Sequence, residues 1–319
     1  MVKILQVKNL HIGFSTEQGF FEAIHGVNFN LEQGELYALV GESGCGKSVT
    51  AMSILSLLPK NAKVTDGEIL FDNKNLLKID KKEMNKIRGA EIALIPQDPM
   101  TSLNPLYTIE NQLLEVINIH QNLYGDEAKK KAIEALELVQ IPDVKNRMKS
   151  YPHEFSGGMK QRAIIAMALA CKSKIIIADE PTTALDVTIQ AQIMKILADI
   201  RSEKNVSILL ITHDLALVKE NANRIAVMYA GEIVEEGHNS EFFASPSHPY
   251  TKALLNSMPN NITHARLDTI TGQPPTIQQQ ISGCKFNPRC KHFMDICKSE
   301  TPPVKEFSST HYMKCHLAD

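Results

Sequence analysis

The chain has 319 residues, of which 43% are hydrophobic and 22% are charged, and its formal net charge at pH 7 is −2. This is the composition of a globular protein with a substantial core, and it argues against a broad basic surface for nucleic acid. The longest apolar run, residues 163–171, has nine residues, whereas a membrane-spanning helix needs about 20. Because the N-terminus also lacks a signal-peptide core, we expect a cytoplasmic protein with reduced thiols.

Short apolar segments alternate with helical patterns over roughly the first 255 residues. Four of these segments are rich in Ile, Leu, Val or Ala and end at a polar or Gly-rich turn; they are residues 36–40, 92–95, 175–178 and 207–211. Parallel strands that are buried on both faces have this character. The chain also begins with a strand pattern, since polarity alternates from Leu5 to Leu10. The predicted fold class is therefore α/β with a partly parallel sheet.

An insertion with a helical pattern, residues 99–152, follows the second of these segments. Asp126 is expected to cap a helix whose apolar positions recur at helical spacing. Those positions are Ala132, Ile133, Leu136 and Val139. We expect a helical subdomain over about residues 99–165.

The composition changes after about residue 258. From there on Pro and Gly residues interrupt any long element, and four of the six cysteines are crowded together. These are Cys284, Cys290, Cys297 and Cys315. The sequence predicts one large domain over residues 1–258 and a small appended module over residues 259–319.

A glycine-rich segment, the phosphate loop (residues 41–48), follows the first apolar segment directly. It reads Gly-Glu-Ser-Gly-Cys-Gly-Lys-Ser and matches the pattern G-x-x-x-x-G-K-S between a strand and a helix. Its glycines let backbone N–H groups surround phosphate oxygens, and the helix N-terminus favours negative charge. We expect Lys47 to reach the β- and γ-phosphates of ATP and Ser48 to ligate Mg²⁺.

Two carboxylates stand at the end of the apolar segment 175–178. Asp179 is placed to hold Mg²⁺, and Glu180 is placed to orient or deprotonate the attacking water. Two adjacent acids at a strand end can also form a solvated turn. The phosphate loop elsewhere in the chain favours the catalytic interpretation.

A second anion site is predicted at the signature turn, which consists of Ser156, Gly157 and Gly158. A Ser-Gly-Gly turn that opens a helix presents N–H groups without partners inside the helix. An ordinary phosphate-loop enzyme needs one such site. The second site indicates that the γ-phosphate is held from two sides.

The order of these motifs resembles the nucleotide-binding domain of ABC transporters over about residues 1–255. The matching segments are the phosphate loop, Gln97, the signature turn, Asp179 with Glu180, Ala184-Leu185-Asp186, and His213. In that family two such domains sandwich ATP head to tail. The resemblance therefore implies an ABC-type phosphate-loop domain whose signature turn serves the ATP of a partner.

The resemblance also implies roles for single residues. Gln97 matches the glutamine that senses Mg²⁺ and contacts the membrane subunit, and Asp186 matches the acid that signals across the dimer. His213 matches the switch histidine on the γ-phosphate, and Phe14 matches the aromatic that stacks on adenine. The residues expected at the ATP site are Phe14, Gly41, Glu42, Ser43, Gly44, Cys45, Gly46, Lys47, Ser48, Val49 and Gln97. Those expected to bind Mg²⁺ are Ser48, Gln97 and Asp179. The expected catalytic groups are Lys47, Glu180 and His213.

Further features resemble the ATPases of dipeptide and oligopeptide importers. The common Leu-Ser-Gly-Gly-Gln signature has Phe155 and Met159 at its ends, as in those ATPases. Residues 96–105 resemble their glutamine-loop region, and residues 247–255 resemble the His-Pro-Tyr element that opens their C-terminal extension. The resemblance implies an ATP-hydrolysing subunit that powers peptide import. Close relatives carry nickel, glutathione or antimicrobial peptides, which stay open as alternatives.

The same resemblance implies partners and a location. The expected partners are a second ATPase, two transmembrane permease subunits and an extracytoplasmic peptide-binding protein. The resemblance favours a paralogue over an identical copy as the second ATPase. The chain is then expected at the cytoplasmic face of the membrane as a peripheral subunit, with no nucleic-acid partner.

The four C-terminal cysteines are a candidate metal site. Zn²⁺ and iron–sulfur clusters both accept four Cys ligands, but zinc modules usually have tighter Cys-x2–4-Cys spacing than these residues have. ATPases of the dipeptide type resemble this layout and hold a [4Fe–4S] cluster, which we therefore expect. Zn²⁺, with His292, His311 or His316 as a further ligand, and free thiols or disulfides are the alternatives.

Soluble ABC ATPases that act on DNA or on the ribosome are an alternative of a different class. Such proteins usually have two linked ATPase domains, a coiled-coil insertion or a strongly basic arm. None of these is visible in the sequence. A phosphate-loop kinase would leave the signature turn and His213 without a role.

Overall fold

The protein is described by a computed structural model over residues 2–182, 185–258 and 270–317. It divides into two compact units. The first unit comprises Met1–Glu32, Leu36–Lys78 and Thr212–Asp319, and the second comprises Gln33–Glu35 and Ile79–Ile211. The domain boundary at residue 258 stays a prediction, and residues 259–269, where the appended module is expected to begin, lie outside the described residues.

The described residues form strands and helices that alternate along much of the chain. The strands are β1 (Lys3–Thr16), β2 (Gly19–Glu32), β3 (Leu36–Val40), β4 (Ala62–Phe71), β5 (Lys74–Asn75), β6 (Ile92–Ile95), β7 (Ile175–Asp179), β8 (Ser207–Thr212), β9 (Arg224–Tyr229), β10 (Glu232–His238), β11 (Val304–Glu306) and β12 (Tyr312–Lys314). The α-helices are α1 (Lys47–Ile54), α2 (Lys81–Ile87), α3 (Pro99–Ser102), α4 (Ile109–Gln121), α5 (Gly125–Leu138), α6 (Val144–Arg147), α7 (Gly157–Ala170), α8 (Val187–Lys204), α9 (Leu215–Asn221), α10 (Asn239–Ala244) and α11 (Pro249–Asn256). Short 3₁₀ helices lie at Pro152–Glu154, Asn287–Arg289 and Asp295–Lys298.

The first unit contains an antiparallel sheet with the strand order β2-β1-β4-β5. β1 lies inside this sheet, and its side chains Leu5, Leu10 and Ile12 are fully buried. In its register with β2, Phe14 lies opposite Phe21. The strand predicted from the alternation at the N-terminus is confirmed, whereas its antiparallel partners were not predicted.

The first unit also contains a run of strands in the order β11-β12-β10-β9-β3. β3 pairs in parallel with β9, where Val40 lies opposite Val227, and the other neighbours are antiparallel. All five residues of β3 are buried, which explains its uninterrupted apolar sequence. Because the chain leaves β3 at Val40, the phosphate loop lies at the carboxyl end of a buried parallel strand.

In the second unit β8, β7 and β6 lie side by side as parallel strands. The predicted strands at 92–95 and 207–211 are confirmed as β6 and β8, and β7 extends one residue beyond its prediction to Asp179. α7, which contains most of the longest apolar run, packs on β6 and on the helices α3, α4 and α5. No helix in the described part of the chain is long and apolar enough to cross a membrane.

Residues 99–152 contain α3, α4, α5 and α6, as the helical pattern predicts. The predicted cap at Asp126 is wrong, because the N-cap residue of α5 is Tyr124 and Asp126 lies in the first turn. Gly125, with a φ of 59°, lets the chain turn into the helix earlier than expected. Ala132 and Leu136 are fully buried, so the apolar face of this helix is confirmed.

The C-terminal region (residues 239–258 and 270–317) is tied to β10 through a buried carboxylate. Glu235 is fully buried and accepts hydrogen bonds from the backbone N–H groups of Ser247 and His248, both at 2.8 Å. His311 Nε2 lies 3.0 Å from the same carboxylate. A buried carboxylate is stable only where donors surround it. Glu235 therefore anchors two distant segments of the C-terminal region at one point.

His248 is a titratable group that folding holds in its neutral form. The residue is 1% exposed, and Nδ1 accepts the Tyr250 N–H at 3.0 Å as the cap of α11. Burial, assisted by the charge of Lys252, lowers the pKa of His248 to about 3, compared with about 6.5 in an unfolded chain. Between these values the unfolded state binds the extra proton. The stability that depends on a neutral His248 is therefore fully present above about pH 6.5, and it is lost as the pH falls toward 3.

We expect His248→Asn to remove this pH dependence while keeping a capping acceptor. Between about pH 6 and pH 4.5, the free energy of unfolding of the wild type should lose about 1.4 kcal/mol more per pH unit than that of the variant. Urea unfolding at a series of pH values measures the two slopes. The exposed His292 supplies a control, His292→Asn, which should keep the wild-type slope. Equal slopes for the wild type and His248→Asn would contradict the prediction.

Candidate active site

The phosphate loop lies between β3 and α1 in the first unit. Lys47 begins α1 and is 4% exposed. Its ammonium group donates hydrogen bonds to the carbonyl oxygens of Gly41 at 2.8 Å and Glu42 at 2.9 Å. The lysine charge therefore lies within its own loop, where the sequence predicts phosphate oxygens. Ser48 and Val49 follow in the first turn of α1 and are half-buried.

Two glycines of the phosphate loop have no room for a side chain. Gly41 and Gly46 have φ values of 153° and 109°. A Cβ on Gly41 would lie 2.2 Å from the Met228 carbonyl oxygen, and a Cβ on Gly46 would lie 2.4 Å from Ile24 Cδ1. Gly44, with a φ of 81°, faces open space, and Ser43 beside it is also exposed. The loop is therefore packed against the sheet on one side and accessible on the other.

Cys45 lies within the phosphate loop, where its N–H donates to the Glu42 carbonyl oxygen at 3.4 Å. Its side chain is 4% exposed, and burial raises the pKa of the thiol although Lys47 lies close by. Reactive thiols require a lowered pKa and partial exposure. The Cys45 side chain is therefore a packed structural group.

In the second unit Gln97 and Glu180 are in contact. Gln97 Nε2 donates a hydrogen bond to Glu180 Oε2 at 3.1 Å. Glu180 is 9% exposed and has a φ of 46°, which is uncommon for a residue other than glycine. Its N–H donates to the Ile211 carbonyl oxygen at 2.8 Å and so holds the backbone in that conformation. Such strain is concentrated at functional sites, and Asp179, the preceding residue, is 1% exposed.

The signature turn forms the exposed N-terminal end of α7. Ser156 is the N-cap residue and accepts the Met159 N–H on its hydroxyl at 3.3 Å. Ser156 and Gly157 are exposed, so the first turn of the helix is open to an anion. Phe155 is 5% exposed. Its ring therefore anchors the turn in the protein interior.

Asp186 caps α8 close to the signature turn. Its carboxylate accepts the Ile189 N–H at 2.9 Å while the residue itself stays exposed. A Cβ on Gly158 would lie 3.1 Å from Ile189 Cγ2, so the starts of α7 and α8 are in contact. Ala184 of the same motif lies outside the described residues.

The remaining predicted residues, Phe14 and His213, lie in the first unit. Phe14 is half-buried in β1, and His213 follows β8 and is exposed. The nearby Phe20 ring lies against Gly13, where a Cβ would be 2.1 Å from the ring, and Lys63 Nζ lies 5.1 Å from its centroid. Phe20 is thus engaged within its own sheet, and the adenine contact stays a prediction for Phe14. The structure groups the phosphate loop in one unit and Gln97 with Glu180 in the other.

Two side chains of the C-terminal region contact the phosphate loop, which the sequence did not predict. The Tyr250 hydroxyl accepts the Glu42 N–H at 3.0 Å. The Arg289 guanidinium makes two hydrogen bonds to the Glu42 carboxylate, at 2.6 and 2.9 Å. Tyr250 belongs to the His-Pro-Tyr element, but no spacing rule pairs it with a residue 208 positions earlier.

The four C-terminal cysteines lie in one neighbourhood. The Cys284 N–H donates to the Cys297 carbonyl oxygen at 2.9 Å. Burial, followed by the nearby thiols of Cys297, Cys315 and Cys290, raises the pKa of Cys284 to about 11. All four are free thiols, and among the residues that the structure describes no group of three or more Cys, His, Asp or Glu is arranged to hold a metal ion.

Comparison with known proteins identifies the family. A model of the ABC transporter family matches residues 24–183, a range that contains the phosphate loop, Gln97, the signature turn and Glu180. The chain belongs to the ABC transporter family. A second family model, for the C-terminal region of oligopeptide and dipeptide transporters, matches residues 234–297.

Similar proteins extend over the whole chain. The dipeptide transport ATP-binding protein DppD of Bacillus subtilis is 50% identical over 321 residues, which cover 100% of this chain and 96% of that protein. The oligopeptide transport ATP-binding protein OppD of the same organism is 49% identical and covers 99% of this chain and 89% of its own length. A solved dimeric bacterial ABC transporter cassette matches with a TM-score of 0.67 at 31% identity, over 74% of this chain and 98% of that one. The chain is an ABC-type ATPase, for which ATP and Mg²⁺ are the expected ligands.

Proposed function

We propose that this ABC ATPase powers the import of dipeptides or oligopeptides through a membrane transporter. The observation that carries the proposal is the match of residues 234–297 to the C-terminal region of oligopeptide and dipeptide transporters. Relatives that are named for dipeptide and oligopeptide transport and are about 50% identical over the full chain support the same substrate class.

In this proposal the phosphate loop and Phe14 bind ATP. Lys47 exchanges the carbonyl oxygens of Gly41 and Glu42 for the β- and γ-phosphate oxygens of the nucleotide. Ser48, Gln97 and Asp179 would hold Mg²⁺, which neutralises charge on the phosphates. Phosphoryl transfer to water needs positioning and charge neutralisation more than covalent chemistry, and these residue types supply both.

Glu180 is proposed to act on the attacking water. Its contact with Gln97 orients the carboxylate. A shift of the Gln97 side chain would therefore change the position of the catalytic base. His213 is proposed to bind the γ-phosphate. The signature turn of a second ATPase subunit would complete the site, and Asp186, at the start of α8, would signal between the two subunits.

We infer a peripheral subunit at the cytoplasmic face of a membrane from the same family membership. Its proposed partners are a second ATPase, taken to be a paralogue, two permease subunits and an extracytoplasmic peptide-binding protein. Substrate choice would then lie in the permeases and the binding protein, because the chain supplies the nucleotide site.

The finer proposal for the C-terminal cysteines is a [4Fe–4S] cluster held by Cys284, Cys290, Cys297 and Cys315. Its support is the chemistry of four Cys ligands and the four thiols in one neighbourhood, which in the described residues are not arranged as a ligand set. The cluster would cross-link a segment that has short elements only. We expect anaerobically purified protein to be coloured, with the broad visible absorbance of an iron–sulfur cluster held by four thiolates. Colourless protein with one zinc ion per chain would instead support the zinc alternative.

Reconstitution tests the transport function. The chain, its second ATPase, both permeases and the binding protein would be placed in liposomes with ATP on the side of the ATPases. We expect ATP-dependent accumulation of a labelled dipeptide or tetrapeptide. Accumulation of nickel, glutathione or an antimicrobial peptide instead would overturn the peptide assignment. ATP-dependent binding of the chain to DNA or ribosomes, without permease association, would overturn the transporter assignment.

A further inference from the structure

Glu42 of the phosphate loop is held from two sides by the C-terminal region. The Tyr250 hydroxyl accepts its backbone N–H, and Arg289 binds both oxygens of its carboxylate. The carbonyl oxygen of the same residue accepts a hydrogen bond from Lys47 Nζ at 2.9 Å. Glu42 therefore connects the C-terminal region directly to the lysine that is proposed to bind phosphate.

Arg289 is itself fixed in place. Its side chain is 5% exposed, Nε donates to the Thr271 carbonyl oxygen at 3.0 Å, and the guanidinium carbon lies 5.8 Å from the centroid of the Tyr229 ring. Tyr229 in turn packs edge-on against Tyr250 and Phe286, with centroids 4.6 and 5.1 Å away. The cation thus reaches the phosphate loop from a buried aromatic cluster.

The contact between Arg289 and Glu42 balances charge in the phosphate loop, and this role is separate from any effect on stability. Buried ion pairs are weak evidence for stability, because apolar pairs of the same volume often do as well. A bidentate guanidinium–carboxylate contact, however, fixes the relative orientation of the two groups as well as the distance between them. In this loop it also neutralises an anion beside the proposed binding place of the polyanion ATP. An unpaired Glu42 carboxylate would repel the phosphates.

We propose that Arg289 is a positioning residue for the ATP site. It neutralises Glu42 and, together with Tyr250, holds the loop in the shape that presents Lys47 to phosphate. The inference rests on the proposed role of residues 41–48 in ATP binding. It makes the C-terminal region, which contributes no motif of the ATPase itself, a determinant of nucleotide affinity.

Replacing the two partners singly and together tests the proposal. MgATP binding to the full chain would be measured by calorimetry for the wild type, Arg289→Gln, Glu42→Gln and the double variant. We expect Arg289→Gln to weaken binding by about tenfold or more, the factor that corresponds to about 1.4 kcal/mol. Glu42→Gln should weaken it less, because no uncompensated anion is left. The double variant should recover most of the affinity that Arg289→Gln loses.

A control separates this role from a structural one. Lys298 lies in the same C-terminal region with its side chain 67% exposed, so Lys298→Gln should bind MgATP like the wild type. Thermal unfolding of every variant accompanies the binding measurements, since a merely structural role would lower the melting temperature and leave the affinity of the folded protein unchanged. Unchanged affinity in Arg289→Gln, or a double variant that binds no better than Arg289→Gln, would overturn the inference. Wild-type protein without MgATP affinity would instead overturn the proposed function.

Discussion

Glu180→Gln is expected to bind MgATP with the affinity of the wild type and to hydrolyse it about 10²- to 10⁴-fold more slowly, the range that general-base catalysis supplies. The amide has the size of the carboxylate but cannot accept a proton from the attacking water. Its carbonyl oxygen can still accept the Gln97 Nε2–H that the carboxylate accepts at 3.1 Å. The backbone N–H bond to Ile211 does not depend on the side chain. The variant should therefore lose chemistry and keep structure.

Single-turnover phosphate release in the assembled transporter measures this loss, and calorimetry on the same preparation measures binding. Glu91 lies in the same unit with its side chain 37% exposed, paired with Lys174. Glu91→Gln is thus a matched control that removes one carboxylate and should turn over at the wild-type rate. Turnover of Glu180→Gln close to the wild-type rate, with all partners present, would show that another group serves as the base.

The parallel strands in each unit were predictable because they are buried on both faces. An element such as β3 or β7, with every residue buried, must be apolar throughout, so its limits are visible in the sequence. The antiparallel sheet of β1, β2 and β4 was harder. Its pairing contains irregularities, for example between Val7 and Leu10, and each irregularity breaks the alternation by which such strands are recognised.

The local chemistry of the candidate site was predictable and its long-range contacts were not. Ser156 and Asp186 cap their helices, which short-range rules anticipate. The strained backbone of Glu180 and its contact with Gln97, 83 positions away, follow from the arrangement of the strands. Arg289 is a further step removed, since its partner Glu42 lies 247 positions earlier. In the sequence it is one basic residue in a Pro- and Cys-rich segment.

Lys47→Ala is expected to weaken MgATP binding by about 10²-fold or more, because charged hydrogen bonds contribute about 1.5–3 kcal/mol each and two phosphates lose the same partner. The lysine is buried, and its ammonium group lies inside the loop, where it donates hydrogen bonds to the carbonyl oxygens of Gly41 and Glu42. Alanine leaves these carbonyl oxygens without that donor. It also removes one positive charge from the loop that carries the Glu42 carboxylate, which Arg289 binds.

A comparison of nucleotides shows where the lost charge acts. If Lys47 binds the β- and γ-phosphates, Lys47→Ala should weaken ATP and ADP binding strongly and leave the weak binding of AMP nearly unchanged. Arg289 is proposed to shape the whole loop. Arg289→Gln should therefore also weaken the binding of ATP and ADP more than that of AMP, by smaller factors than Lys47→Ala does. Lys60, an exposed residue of the same unit, supplies the control Lys60→Ala. Equal weakening of all three nucleotides by Lys47→Ala would mean that the lysine maintains the loop and does not contact the terminal phosphates. That result would also remove the part of the Arg289 proposal that acts through Lys47, and it would leave only the neutralisation of Glu42.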